Sequence, residues 1–273
     1  MNRMDDKVCV IAGATQGLGA AIARRLAAAG AAGIVVTGRN EERGTAVAEG
    51  ITATFRVPAL FVRGDLASIG DCRGMIAQAD KRFGRVDVLV NAGATTERGT
   101  ILDTTPDLFD RMFAINVRGP FFLMQDAIKL MIRDNVEGAI CNIGSISALA
   151  GQPFISPYCA SKGALATLTA NTAFSVMRNR IRVNQLNIGW MASDNERQLQ
   201  AAESDDPDWL EKAAGQMPFG RLIDPEEAAR AVNFLVSGDA GLMTGAIVNF
   251  DQSVWGAVAG AMPTPHAPMQ LVK

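Results

Sequence analysis

The most constraining feature of this chain is a passage from an apolar run, through glycines, into a strong helix former within residues 7–29. Residues 7–12 (Lys-Val-Cys-Val-Ile-Ala) are short, apolar and β-branched, which predicts a strand buried on both faces. The run breaks at Gly13-Ala14-Thr15-Gln16-Gly17-Leu18-Gly19, and residues 20–29, rich in Ala, Leu and Arg, favour helix. A strand that feeds a helix through glycines aims backbone N–H groups and the positive end of the helix dipole at one place. It also lets the backbone approach a ligand closely. The passage therefore predicts a pyrophosphate cradle. An ordinary strand-to-helix connection is the alternative, and the strand and helix in place on either side weigh against it.

The same alternation continues along the chain. Apolar runs predict further strands at 33–37, 59–62, 86–90, 139–143, 182–186 and 246–250. Between them, helices are expected at 41–54, 68–83, 105–133 and from about 157 to 179. Pro106 suits the first turn of its helix, whereas Asn116 and Pro120 inside it predict a distortion. Regular β-α alternation without a repeat or interior linker implies an α/β fold. The expected architecture is one doubly wound, parallel, seven-stranded sheet with helices on both faces, over residues 1–255. Polarity rises between residues 191 and 217, and a long polar excursion past a strand end suits a lid, at about 190–218. Residues 256–273 are an irregular Ala/Gly/Pro-rich tail, expected on a neighbouring subunit or disordered.

At 273 residues the chain can bury a substantial core. A formal net charge of −2 offers no attraction to nucleic acid or to an anionic membrane, so neither is an expected partner. The first residues, Met-Asn-Arg-Met-Asp-Asp, lack the apolar core of a signal peptide, and no later run is long enough to span a bilayer. A cytoplasmic protein is the expectation. Cys9, Cys72, Cys141 and Cys159 lie far apart without metal-type spacing, which predicts reduced thiols. His266, the single histidine, sits in the Pro-rich tail, so a His-based triad or a His-ligated metal is not expected, and no metal is assigned.

Two places carry candidate chemistry. After the second strand comes Gly38-Arg39-Asn40, where a dinucleotide fold usually has an acidic residue to hold the ribose hydroxyls. Glycine leaves room and a guanidinium can pair with a 2′-phosphate, which favours NADP over NAD; the other reading is a solvated surface arginine. The second place is the stretch 142–162. Tyr158, the only tyrosine, precedes Lys162 by four positions, so on a helix the two share a face. By itself a Tyr-x-x-x-Lys arises easily by chance.

Read in order, the motifs resemble the short-chain dehydrogenase/reductase family over essentially residues 5–253. They are Gly13-x-x-x-Gly17-x-Gly19, Asp65, Asn91-Ala92-Gly93, Asn116, Ser145, Tyr158-x-x-x-Lys162, Arg182-Val183-Asn184, Pro218-Phe219-Gly220-Arg221 and Thr244-Gly245. The resemblance implies a Rossmann-type NAD(P) site. Gly13, Gly17 and Gly19 would line the pyrophosphate, with Thr15, Gln16 and Leu18 in the same turn. Asp65 would meet the adenine amino group with Leu66 beside the ring, and Asn91, Ala92 and Gly93 would form the pocket wall. Gly189, Met191 and Ser193 would meet the nicotinamide end. Tyr158 is implied as general acid/base, Lys162 as the cation that lowers its pKa and holds the nicotinamide ribose, Ser145 as the donor to the substrate oxygen, and Asn116 as the anchor of a proton-relay water.

Departures from the family pattern locate this chain's own character. Ala12 stands for a threonine and Val90 for the first asparagine of Asn-Asn-Ala-Gly. Ile188-Gly189 replaces Pro-Gly, which predicts a less rigid loop, since proline's fixed φ is absent. Ser193 keeps a hydroxyl where a threonine is usual, and Asp251-Gln252-Ser253 replaces Asp-Gly-Gly.

The implied reaction is interconversion of a secondary alcohol and a ketone, with hydride passed to or from the cofactor and a proton to or from a phenol whose free pKa near 10 needs lowering. Trp190, Asp194, Asn195, Glu196, Gln152 and Phe154 would flank the reacting group. Acidic groups and a tryptophan suit a sugar, polyol or other hydroxylated compound; packed and solvated side chains are an equal reading. A 3-oxoacyl thioester is the second substrate class, and a cofactor-binding regulator without turnover the other functional class. Small and apolar residues along 105–133 and 157–179 would pack on symmetry mates, giving a homodimer or homotetramer.

Overall fold

The computed structural model describes residues 3–149, 151–193, 196–197, 200, 206, 208–257 and 269. Its strands are β1 (Val8–Ala12), β2 (Gly33–Gly38), β3 (Ala59–Arg63), β4 (Val88–Asn91), β5 (Ala139–Ser145), β6 (Arg182–Ile188) and β7 (Ile247–Phe250). They form one seven-stranded sheet in the order β3-β2-β1-β4-β5-β6-β7, and every recorded pairing is parallel. All five residues of β1 are buried, as a run without polar alternation requires.

Helices cover both faces because neighbouring strand residues point to opposite sides. Ile11, Val36 and Val90 pack into one core with Ile22 and Leu26 of α1 (Gly17–Ala28), Ile51 of α2 (Glu41–Phe55) and Val232 of the late helix Pro225–Val236. Val10, Val35 and Leu89 pack into the other, with Met75 and Ile76 of α3 (Ile69–Phe83), Leu123 and Met131 of Gly119–Arg133, and Ala173 of Ser156–Val176. In chain order the remaining helices are α4 (Pro106–Phe113), α5 (Gly119–Arg133), α6 (Ser156–Val176), α7 (Trp209–Gln216) and α8 (Pro225–Val236).

The chain winds outward from β1 to β3, then crosses to β4 on the other side of β1. The carboxyl ends of β1 and β4, where Ala12 pairs with Asn91, therefore flank the crevice at which the winding reverses.

One local expectation takes a definite form and two change. The distortion expected inside the helix over 105–133 is a π-helical turn, Ala114–Arg118, which contains Asn116, while Pro120 falls in the first turn of α5 where its missing N–H costs little. α1 begins at Gly17, so Gly17, Leu18 and Gly19 form its first turn. β5 and β6 run on to Ser145 and Ile188, which pair with each other, and Ile188 also pairs with Phe250. The loosening expected from Ile188 is thus opposed by the sheet: an isoleucine keeps the N–H that proline lacks, and the Gly189 N–H donates to Phe250 O at 3.0 Å.

Candidate active site

The cradle is built by close backbone approach. A Cβ placed on Gly13, which has φ +77°, would lie 2.3 Å from the Gly93 Cα, so the turn after β1 and the turn after β4 touch only because both are glycine. Ala14 N–H donates to Thr37 O at 2.9 Å and Ala92 N–H to Ala12 O at 2.9 Å, which ties the turn to both neighbouring strands. The N-cap residue Gln16 makes no side-chain cap, so the first-turn N–H groups of α1 point into the crevice. Above Gly17, at φ +54°, the nearest atom to an added Cβ is the Ser193 Cβ at 4.0 Å. Ser193 therefore roofs the cradle. Thr15 and Gln16 are half-buried at its rim. The Leu18 side chain is buried in the core, leaving its backbone to the crevice. A passage too tight for side chains, beneath a hydroxyl and beside unsatisfied N–H groups, fits a pyrophosphate.

Outward from the cradle, Arg39 and Asp65 line one cleft of about 770 Å³. Asp65 Oδ1 accepts from the Ala67 N–H at 2.9 Å, closing its own turn. Leu66 packs against the cradle, since a Cβ on Gly93 would meet its Cδ1 at 2.5 Å. Arg63, which the sequence reading passed over, lines the same cleft; it sits opposite Gly38 in the β2–β3 register. No motif marks it. Only the pairing of two strands brings it beside Arg39. Neither guanidinium joins an ion pair among the described residues.

The proton-handling groups meet at the end of β5. Ser145, the last residue of β5, and half-buried Tyr158 near the start of α6 come together here, Ser145 holding down the pKa of the phenol. Ser145 Oγ also donates to Ser147 Oγ at 3.1 Å, and Ser147 is bonded to Gln152. Ser147 was not foreseen, although its position two residues past Ser145 in a tight turn was a usable signal. Burial pushes the phenol up to about 12, with the Ser145 bond opposing it and the charge of Glu196 adding to it. Lys162 Nζ donates to Ile143 O at 2.8 Å and lies 5.6 Å from the Tyr158 ring centroid, and burial lowers its own pKa to about 8.

The Asn116 side chain is held by three hydrogen bonds. Its Oδ1 accepts from Thr95 N–H at 2.9 Å, while Nδ2 donates to Thr95 O and to Ser161 Oγ, each at 3.0 Å. Ser161 Oγ in turn donates to Tyr158 O at 2.8 Å. Both amide hydrogens are thus committed to protein partners, and the side chain ties α6 to the turn after β4. Asn91 donates to Asn142 Oδ1 at 2.8 Å, while its own Oδ1 is buried without a partner.

Over this floor lies the segment after β6. Met191 bridges Ile223, with Ala192 N–H donating to Ile223 O and Ile223 N–H to Trp190 O, each at 3.0 Å, so both ends of the excursion are joined. Gln252 clamps the same base: it accepts from Phe219 N–H at 2.9 Å and donates to Arg221 O. Gly189 is pressed against Asp251, whose carboxylate would clash with any Cβ there. Trp190 Nε1 donates to Glu196 Oε1 at 2.9 Å. Across the mouth Arg98 stacks over Phe154 at 4.8 Å, and Gly99 N–H donates to Phe154 O at 3.0 Å. Asp194, Asn195 and residues 258–268 and 270–273, His266 among them, lie outside the described residues. Cys9, Cys72, Cys141 and Cys159 are free thiols. Among the described residues no group of three or more His, Cys, Asp or Glu is gathered as metal ligands would be, and no helix is long and apolar enough to cross a membrane.

A family model described as enoyl-(acyl carrier protein) reductase matches residues 13–253. Galactitol 2-dehydrogenase of Agrobacterium fabrum is 30% identical over 258 residues, 93% of this chain and 99% of that one. The 3-oxoacyl-[acyl-carrier-protein] reductase of Rickettsia conorii is 33% identical over 244 residues, covering 89% of this chain and 94% of that one. Among solved structures, L-sorbose reductase from Gluconobacter frateurii complexed with NADPH and L-sorbose matches with a TM-score of 0.89 and 26% identity, over 94% of this chain and 100% of the other. The chain belongs to the short-chain dehydrogenase/reductase family. It is an oxidoreductase acting on alcohol groups.

Proposed function

We propose that Tyr158, Ser145 and Lys162 carry the interconversion of a secondary alcohol and a ketone, with NADP preferred over NAD and a sugar, polyol or other hydroxylated small molecule as substrate. The observation that carries this reading is Lys162, buried on the helix that bears Tyr158 and bonded through Nζ to Ile143 O of β5, the strand that ends at Ser145, with the glycine cradle on the turns after β1 and β4. When bound, the nicotinamide supplies the carbon that takes or gives the hydride and, oxidised, a positive charge that favours phenolate. Tyr158 Oη takes the hydroxyl proton during oxidation and returns it to the carbonyl oxygen during reduction. Ser145 Oγ donates to that oxygen as its negative charge grows. Lys162, fixed by the Ile143 carbonyl, retains its proton at neutral pH and would donate to a ribose hydroxyl of the bound cofactor. Tyr158→Phe is expected to retain cofactor binding and lose about two to four orders of magnitude in kcat. Near-normal turnover by the Tyr158→Phe variant would remove the mechanism.

Arg39 and Arg63 support the cofactor preference, because two guanidinium groups in one cleft match the charge of a 2′-phosphate. Arg39→Asp is expected to move the kcat/KM ratio from NADP toward NAD by at least about tenfold. An unchanged ratio would make Arg39 a surface charge. For the substrate, galactitol and L-sorbose in the names of the related proteins, with Glu196 and Trp190 at the mouth, weigh toward a hydroxylated compound. The thioester reading keeps the support of the Rickettsia relative, and acetoacetyl-CoA in the same assay separates them. We place residues 1–255 in one cytoplasmic catalytic unit with a lid at about 190–218. A homo-oligomer, dimer or tetramer, would cover exposed Phe121, Ile132, Phe174 and Met177 on α5 and the end of α6, and a monomer in sedimentation at all concentrations would refute it.

A further inference from the structure

Ser145 is the first member of a hydrogen-bonded row. Its Oγ accepts from the Ser147 N–H and donates to Ser147 Oγ, each at 3.1 Å, and Ser147 Oγ donates to Gln152 Oε1. Ser145 and Ser147 are buried and Gln152 is half-buried, so the row runs from the interior outward. The loop that carries Gln152 is pinned independently. The Gln152 carbonyl accepts from Ile155 N–H at 3.1 Å and from the thiol of Cys159, the neighbour of Tyr158, at 3.8 Å. Gly99 N–H donates to Phe154 O at 3.0 Å and Ser156 N–H to Gly99 O at 2.9 Å, which ties the loop to the segment after β4. The Trp255 indole leans on the same loop, its Cη2 lying 3.9 Å from where a Cβ on Gly151 would stand.

The Gln152 side chain is thus fixed through its oxygen, while its Nε2 makes no hydrogen bond to a described residue. An amide held in this way offers two N–H donors at the open end of the row. Two oxygens on neighbouring substrate carbons lie roughly 3 Å apart, about one hydrogen-bond length. That is the step from Ser145 Oγ to Ser147 Oγ, so a reacting oxygen on Ser145 puts its neighbour further along the row, toward Gln152. Resting on the alcohol–ketone reading above, we propose that Gln152 determines specificity: its Nε2 donates to an oxygen on the carbon beside the reacting one. The substrate class is then the vicinal diol and its 2-oxygenated ketone, sugars and polyols included, in preference to an isolated alcohol or ketone.

Gln152→Glu is the discriminating variant. One carboxylate oxygen still accepts from Ser147, so the row to Ser145 is kept, while the other puts an acceptor where the donor stood. Both proteins are assayed with NADPH and NADH on cyclohexanone, 2-hydroxycyclohexanone, 2-methoxycyclohexanone and acetoacetyl-CoA, and with NADP and NAD on D-sorbitol and galactitol. The methoxy oxygen can only accept, so it needs the donor that the variant lacks. The parent is expected to prefer both 2-oxygenated ketones to cyclohexanone by at least about tenfold in kcat/KM. In the variant the preference for 2-methoxycyclohexanone should fall by roughly 10- to 100-fold, mainly through KM. That for 2-hydroxycyclohexanone should fall less, because a hydroxyl can turn and donate to the carboxylate. Equal losses on cyclohexanone and 2-methoxycyclohexanone, or no loss on either, would overturn the role of Gln152. The parent's own preference reads the same contact without a variant: none for the 2-oxygenated ketones, or turnover of acetoacetyl-CoA alone, would also overturn it and leave the alcohol–ketone reading intact. Only a parent enzyme inactive on every compound would bring down that reading as well.

Discussion

Lys162 shows what burial does to a single group. It is 3% exposed, and its pKa falls from the ordinary 10.5 to about 8. Between those values the unfolded chain holds the proton more tightly than the folded one. The stability attributable to this residue therefore rises with pH across that window, and its cost is complete below about pH 8. Tyr158 and the buried thiol of Cys72 act in the opposite sense. Folding raises their pKa values to about 12 and about 11, so their contribution declines as pH climbs past the ordinary values of 10 and 9. The comparison that isolates Lys162 is with Lys162→Met. In urea unfolding, the wild type is expected to gain on the variant by on the order of 3 kcal/mol from pH 8 toward 10.5. Parallel stability curves for the two proteins would contradict the assignment.

Among the elements, the interrupted helix between β4 and β5 is the one that sets the geometry of the site. Its π-helical turn points Asn116 inward, and the Asn116 amide joins the Thr95 backbone after β4 to Ser161 on α6, one turn from Tyr158. Three structural segments are held by one 1%-exposed side chain. Asn116→Ala leaves the Thr95 N–H and C=O and the Ser161 hydroxyl to find other partners. A stability loss of about 1–3 kcal/mol is expected. A loss of about 10- to 100-fold in kcat should accompany it, because α6 carries the phenol. Thermal unfolding and steady-state rates on one preparation check both. A variant that loses stability but keeps kcat would reduce Asn116 to a structural residue.

Across the whole molecule, a polar chain buried except at its Asn249 end links four strands and α6. Asn91 donates to Asn142, Asn142 to Thr169 Oγ1 at 2.9 Å, Gln185 to Asn187 at 2.7 Å and Asn187 to Asn249 at 3.0 Å, while Thr169 Oγ1 lies 3.1 Å from Gln185 Oε1. The chain passes directly over Gly144, where an added Cβ would meet Asn187 Oδ1 at 2.1 Å. Each member is satisfied mainly by the next, so removing one strands its neighbours. Asn142→Leu is expected to cost about 2–4 kcal/mol, more than a surface Asn→Leu change. With Asn91→Leu it should show coupling in a double-mutant cycle, and additive losses in denaturant titrations would show that the chain does not act as a unit.

Strand order of appearance, the glycine cradle and the pair Tyr158 and Lys162 were legible in the sequence, because period, propensity and short spacing express local physics. The boundaries that moved, at Gly17, Ser145 and Ile188, moved where pairing or a helix terminus rather than propensity decides the end. Arg63 beside Arg39, the partners of Asn116, the fixed carboxylate of Glu196 and the chain over Gly144 carried no local mark. Each depends on register between strands, or on a loop closing over another, that brings together residues far apart in the chain. By itself the sequence determined which elements form and which residue types stand at their ends. Only the tertiary structure decided which of those groups share a pocket, since burial, hydrogen-bond completion and charge proximity are properties of residues brought together in space.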